Sequence, residues 1–347
     1  MTLGPLLIDI AGERLGPEDR EVLQHPLVGG VILFSRNYRD PQQLAALVAD
    51  IQAVRQPPLL VTVDHEGGRV QRFRDGFSAL PAMRRIGFIY DIDAREGLQL
   101  ARQLGWLMAV ELRAVGIDLS FAPCVDLDYG VSSVIGDRAL HADADLVARL
   151  AVAYMLGMRA AGMAATAKHF PGHGAVVADS HVALPVDRRE LASLEADLRP
   201  YRALIANGLA AVMVGHILFP AVDAQPASLS PVWIRRVLRG ELQFSGVVFA
   251  DDLSMQGAAI GGDIVERCAR AIEAGCDVLP ICNRRDAVLR VLDEWRWRAD
   301  PALALRLVRL RARGPRPTFA ALRASAEWQA CQTALQRCNA PPPLKLD

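Results

Sequence analysis

Two short segments concentrate the residue types that move protons and attack carbon. One is Lys168-His169-Phe170-Pro171-Gly172-His173-Gly174, followed by Asp179-Ser180-His181; the other is Asp251-Asp252, at the end of an apolar run. His169, His173, Asp179 and His181 admit a metal-ligand reading, since imidazole and carboxylate are common zinc and manganese donors. Pro171 and Gly172, however, break any helix that would align His169 with His173 on one face. The better reading is a mobile loop hinged at Gly172 and Gly174. In extended chain, residues two apart point to the same side, so Asp179 can hydrogen-bond His181. A carboxylate beside an imidazole fixes its tautomer and makes it a better proton acceptor near neutral pH.

With Asp251 on a rigid strand end facing such a loop, double-displacement glycoside hydrolysis fits. A carboxylate attacks the anomeric carbon, a proton donor assists the leaving oxygen, and the same donor, now a base, activates water. Asp64, Arg72, Arg138, Lys168 and His169 would then grip the sugar's hydroxyl and carbonyl oxygens. Each residue also has a plainer explanation. Any one aspartate after a strand is more often a turn or cap residue, Arg138 suits a surface ion pair, and His65 and His216 read as core histidines. What the plainer explanations leave over is the same charged enrichment after several strands at once. Lys168 adds a separate argument. Only it and Lys345 are lysines among 39 basic residues, so Lys168 marks a place where a guanidinium does not fit.

The elements that must position these groups are legible as apolar runs: 6–10, 30–34, 59–64, 117–121, 164–169, 211–216, 246–251 and 278–282. Most do not alternate polar with apolar, which reads as strands buried on both faces. Helical patterns lie between most of them. Leu44, Leu47, Val48, Ile51 and Val54 repeat at helical spacing behind an Asp40-Pro41 start. Asp187 with Glu190 resembles a capping box for a helix that stops at Gly208, and Ser230-Pro231 starts another that stops at Gly240. Eight strands alternating with helices predict an α/β fold, a single-domain (β/α)8 TIM-type barrel with its site at the C-terminal ends of the strands. An open doubly wound sheet is the runner-up, but no Gly-rich phosphate turn follows the first strand. The barrel domain is expected over 1–338, with 283–338 as a helical, Arg-rich C-terminal part and 339–347 as a Pro-rich tail.

Composition narrows the partners. The 347 residues are 52% hydrophobic and 22% charged, with 39 basic and 39 acidic side chains. That allows a large core and supplies no basic field for nucleic acid or anionic membrane. Six scattered cysteines without a CxxC pair suit reduced thiols rather than a disulfide framework. The N-terminus lacks the basic region of a signal peptide. The uncharged stretch 203–222 is long enough to span a bilayer, but Asn207-Gly208 and Pro220 interrupt it. It reads as a helix end, a turn and a buried strand.

KHFPGHGAVVADSH (168–181), DHEGGRVQRF (64–73), FAPCVDL (121–127), IGDRALHAD (135–143) and GVVFADDLSM (246–255) together resemble the bacterial β-N-acetylglucosaminidases of glycoside hydrolase family 3. The likeness is to the single-domain enzymes of cell-wall recycling, and it runs in order from Leu6 to about Asn283. It implies Asp251 as nucleophile, His181 as acid/base supported by Asp179, and Asp64, Arg72, Arg138, Lys168 and His169 as substrate-binding residues. It also implies a cytoplasmic monomer without cofactor or metal. The implied partner is a small muropeptide: N-acetylglucosamine on 1,6-anhydro-N-acetylmuramic acid, with or without peptide. Two positions depart from the pattern: Ala250 stands where Ser or Thr usually precedes the nucleophile, and His65 where Gln is common. A phosphorolytic relative, a metal-dependent barrel hydrolase and a silent sugar-binding protein are the rival expectations.

Overall fold

The structure is a computed structural model that describes residues 3–180, 183–298 and 300–339. Five parallel strands form one sheet in the order β10-β1-β2-β3-β6, and three more form a second in the order β7-β8-β9. They are β1 (Leu6–Ile8), β2 (Val28–Leu33), β3 (Leu60–Val63), β6 (Leu119–Ser120), β7 (Thr166–Phe170), β8 (Ala211–Val214), β9 (Val247–Ala250) and β10 (Leu279–Ile281). The hairpin of β4 (His65–Gly67) and β5 (Val70–Gln71) is antiparallel and leaves β3 directly at its C-terminal end. Single parallel bridges, Leu119 to Ala164 and Phe249 to Val278, link the two sheets at both flanks. Each of the eight predicted apolar runs overlaps one of the parallel strands, though β2 begins two residues before its run and β7 ends one residue after its own. All of these strands are buried throughout, which is why they carry no polar–apolar alternation.

The helices cover the sheets with apolar stripes. In the helix Pro41–Ala53, Leu44, Leu47, Val48 and Ile51 are buried, and the Asp40 carboxylate accepts from Gln43 N at 2.8 Å, as the sequence predicted. The capping box predicted at Asp187 does not form. Asp187 instead accepts from the backbone and guanidinium of Arg189, and the helix begins later, at Glu195, after a 3-10 turn. An acidic side chain with an arginine two residues away has a stronger partner than an orphan helix N–H. The 203–222 stretch resolves into the end of the helix Glu195–Ala206, a turn, β8 and a loop. Among the described residues no helix is long and apolar enough to cross a membrane. All six cysteines are buried and unbridged.

The Arg-rich C-terminal region is strapped to the rest of the chain through guanidinium–carbonyl bonds. Arg113 reaches Gly314 O and Pro315 O, Arg316 reaches Ala114 O, and Arg323 reaches Gly76 O. Trp328 Nε1 donates at 2.8 Å to Glu111, a buried carboxylate that also accepts from Ser78. The planar fork of arginine can satisfy two carbonyls at once, which suits it to this clamping. The tail from 340 onward lies outside the described residues.

Candidate active site

Because the eight strands run parallel, their C-terminal ends deliver side chains to the same side of the sheets. Asp64 follows β3, Lys168 and His169 close β7, and Asp251 follows β9, its backbone N–H bonded to Val214 O of β8 at 2.9 Å. Arg72 comes from the end of the β4–β5 hairpin and Arg138 from a short 3-10 turn at Gly136–Arg138. A cavity of about 400 Å³ lies over these ends. Its lining includes Asp64, Arg72, Arg138, Lys168, His169, Asp179 and Asp251. Every described residue that the sequence proposed for the site therefore meets in one place. His181 lies outside the described residues.

A buried ion network organises the floor. Lys168 Nζ sits 2.7 Å from Asp64 Oδ1 and 2.7 Å from Glu66 Oε1. Glu66 receives Arg138 in a two-point fork, Nε to Oε2 at 2.9 Å and Nη2 to Oε1 at 2.8 Å. Arg72 approaches Asp64 at 3.7 Å. Burial alone would lift the Glu66 pKa, but Arg138 and Lys168 outweigh it and hold the carboxyl well below the usual range. Burial likewise works against the Lys168 ammonium, and Asp64 and Glu66 reverse it, raising its pKa. The surface ion pair considered for Arg138 is thus corrected: its partner Glu66 is 1% exposed, and the pair is part of the floor.

Lys168 is 2% exposed and lies between two carboxylates, the enclosed setting that the argument from its rarity calls for. A planar guanidinium there needs more width than the ammonium occupies. Lys168→Arg is expected to destabilise by about 1–3 kcal/mol, the scale of overpacking a tight interior, and to raise KM for the sugar. Urea denaturation together with steady-state kinetics checks both; unchanged midpoint and KM would sink the shape argument.

Next to the network, His169 Nδ1 lies 2.7 Å from Asp126 Oδ2, and its Nε2 lies 3.3 Å from Arg138 Nη2. Cys124, Asp126 and His169 are close enough together to form a ligand set. These groups are already hydrogen-bonded to one another, though, and the Arg138 guanidinium beside them opposes a cation. The metal reading from sequence shares only His169 with this set and joined it to His173, Asp179 and His181. Of these, His173 turns neither ring nitrogen to a partner among the described residues.

The loop after β7 begins at two tightly packed glycines. Gly172 has φ +147°, and a Cβ there would sit 2.7 Å from Asp197 Oδ1, while one on Gly174 would strike Leu127 O. Both glycines serve close packing at the base of the loop, a demand separate from the hinge role read from sequence. His216 is the satisfied core histidine expected, with Nδ1 at 2.6 Å from Ser228 Oγ and Nε2 at 2.9 Å from Asp252 O. His65 is buried between Phe73 and Phe77, and burial lowers its pKa to about 3, so it stays neutral.

Asp252 separates cleanly from Asp251. Its oxygens accept from Ser254 N, Ser254 Oγ and Cys282 N, tying the end of β9 to that of β10. Burial, reinforced by the Asp251 charge, raises its pKa to about 6. The folded state therefore favours the protonated carboxyl, and the stability this group contributes is full below about pH 4 and lost as pH rises through about 6. Asp252→Asn should remove that slope. Urea midpoints of both proteins from pH 4 to 7 test it, and a constant difference between them would refute the assignment.

Glu66 and Asp126 were read from sequence only as charged residues following strands, with no role assigned to either. A signal for Glu66 existed: Asp64 and Glu66 are two apart in extended chain and so share a side.

The comparisons with known proteins agree with this geometry. Residues 7–302 match the Glycosyl hydrolase family 3 N terminal domain. The chain belongs to glycoside hydrolase family 3. It is 57% identical over 334 residues to a beta-hexosaminidase of Thiobacillus denitrificans, covering 94% of this chain and 92% of that one. It is 49% identical to a beta-hexosaminidase of Thioalkalivibrio sulfidiphilus over the full length of both chains. Among solved structures it is similar to NagZ of Neisseria gonorrhoeae in complex with N-trifluoroacetyl-D-glucosamine. That match has a TM-score of 0.93 and 43% identity, over 98% of this chain and 99% of that one. The family member described here is a glycoside hydrolase of the β-N-acetylhexosaminidase class.

Proposed function

We propose that this family 3 enzyme is a retaining exo-β-N-acetylglucosaminidase of peptidoglycan recycling. It removes the terminal non-reducing N-acetylglucosamine from fragments ending in 1,6-anhydro-N-acetylmuramic acid, with or without peptide, in the cytoplasm, as a monomer. The observation that carries the reading is the single cavity where Asp251 faces the Asp64–Lys168–Glu66–Arg138 array and Asp179. The solved relative that holds an N-acylated glucosamine supports the same substrate class. In this reading the eight parallel strands close into one barrel, supported by the two bridges that join the sheets.

The steps use the side chains of this chain. Asp251 attacks the anomeric carbon as the glycosidic C–O bond breaks, and His181, held by Asp179, gives its proton to the leaving oxygen. Water then gives a proton to His181 and attacks the same carbon, breaking the ester to Asp251. Two inversions leave the β configuration. Asp64 and Lys168 offer an acceptor and a donor to ring hydroxyls, and Arg138 and His169 hold the far side of the floor.

The test is hydrolysis of p-nitrophenyl N-acetyl-β-glucosaminide after exhaustive EDTA treatment and without phosphate, with the first-formed anomer read by proton NMR. Turnover giving β-N-acetylglucosamine first is the expected result. An α product first, a metal requirement or a sugar phosphate formed only with added phosphate would each overturn the reading. Comparing N-acetylglucosaminyl-anhydromuramic acid with chitobiose then tests the proposed natural substrate.

A further inference from the structure

We infer that Asp126 is a positioning residue for this reaction, setting the tautomer of His169 and fixing the start of the loop that carries Asp179. Asp126 follows β6 in the segment Phe121–Leu127 and is 1% exposed. Four donors converge on its two oxygens. Oδ2 takes the His169 ring Nδ1–H at 2.7 Å, the His169 backbone N–H at 3.2 Å and the Cys124 thiol at 3.3 Å; Oδ1 takes the His173 backbone N–H at 2.7 Å. Burial raises the carboxyl's pKa, but His169 and His173 outweigh it and bring it to about 2, so the acceptor is ionised at neutral pH.

The consequence for His169 follows from hydrogen-bond inventory. A carboxylate has no proton to give, so the Nδ1 that faces it carries the ring hydrogen. Nε2 is then the acceptor, and it faces an N–H of Arg138 at 3.3 Å. The contacts continue from Asp126 through His169 and Arg138 to Glu66 and Lys168, with Arg138 donating both to His169 and to Glu66. The His173 ring stands edge-on to His169 with centroids 5.9 Å apart. At the same time the backbone bond to His173 pins the base of the loop from which residues 175–180 depart.

Asparagine cannot substitute. An amide has one acceptor oxygen and one NH2 group. Either His173 N–H or His169 N–H then meets a donor, whichever way the amide is turned. If the NH2 faces His169, the ring answers by moving its proton to Nε2, where it opposes the Arg138 N–H.

The inference rests on the proposed reaction for its kinetic part alone. The first measurement is long-range proton–nitrogen NMR of the wild-type enzyme without substrate, labelled in histidine, with His169→Gln used to assign the signals. His169 is expected to carry its ring hydrogen on Nδ1, with Nε2 bare and accepting from Arg138. Protonation on Nε2, or on both nitrogens, would overturn the inference whatever the enzyme's substrate proves to be. In Asp126→Asn either the His169 proton moves to Nε2 or the His173 backbone N–H loses its acceptor, and kcat/KM for the p-nitrophenyl glycoside is expected to fall about 10- to 100-fold, the scale of groups that orient a site residue. Added to His169→Gln, the same substitution should cost only a small further factor. A folded Asp126→Asn enzyme with the wild-type tautomer and unchanged kcat/KM would sink the idea. If the variant fails to fold, the wild-type tautomer still decides.

Discussion

Asp251→Asn is expected to lower kcat for the p-nitrophenyl glycoside by at least about 10³-fold, since removing a covalent nucleophile abolishes most of the chemical step. The fold should survive. The anchor of residue 251 to the sheet is its backbone N–H on Val214 O, and an asparagine oxygen can still accept from Asp252 N, as Asp251 Oδ1 does at 2.9 Å. Loss of rate alone does not separate a nucleophile from a structural group, so the smaller Asp251→Ala variant carries the decisive test. It leaves space on the α face for a small anion. Added azide should attack there, with the glycosidic bond breaking as before, and yield the α-glycosyl azide. NMR of the product reads this directly. A folded Asp251→Asn enzyme with near-normal kcat would refute the nucleophile assignment, and so would a β-glycosyl azide from Asp251→Ala.

Much of the fold was legible because strands buried on both faces are written as short apolar runs, and all eight runs proved to overlap strands. The site was legible for a related reason. Parallel strands bring their C-terminal ends together, so charged residues following separate runs had to meet, as Asp64, Lys168 and Asp251 do. What sequence could not show was who partners whom across the chain. Asp187 looked like a helix cap because its competitor, Arg189, is not part of the capping pattern. Gly172 and Gly174 were read as hinges, and sequence does not reveal that Asp197 and Leu127 press against them. The arginines after 284 had no assignable purpose because their carbonyl partners lie up to some 250 residues away. Asp126 in FAPCVDL was one of several acids following strands, and sequence does not reveal that groups of Cys124, His169 and His173 converge on it.

Glu66 shows how binding and stability share the same groups, and it makes the largest expected change in stability. Glu66→Gln removes the one full negative charge that Arg138 holds in a fork and that Lys168 meets at 2.7 Å. Asp64 still accompanies Lys168, but Arg138, with a side chain only 10% exposed, keeps no other salt bridge among the described residues. Breaking a buried pair by removing one partner costs about 3–5 kcal/mol, because the remaining charge is left without compensation. A loss of that size should appear as a clear drop in the urea midpoint, and added salt should change it little because the pair is shielded from solvent. The pH dependence gives a second readout. The folded pKa of Glu66 lies below its ordinary 4.5, so its contribution is full above about pH 4.5 and lost as pH falls below it. Wild type and Glu66→Gln should therefore differ most near neutrality and converge in acid. Equal stability at pH 7, or a gap that widens on acidification, would show that the network is not the support for Lys168 and Arg138 that its geometry implies.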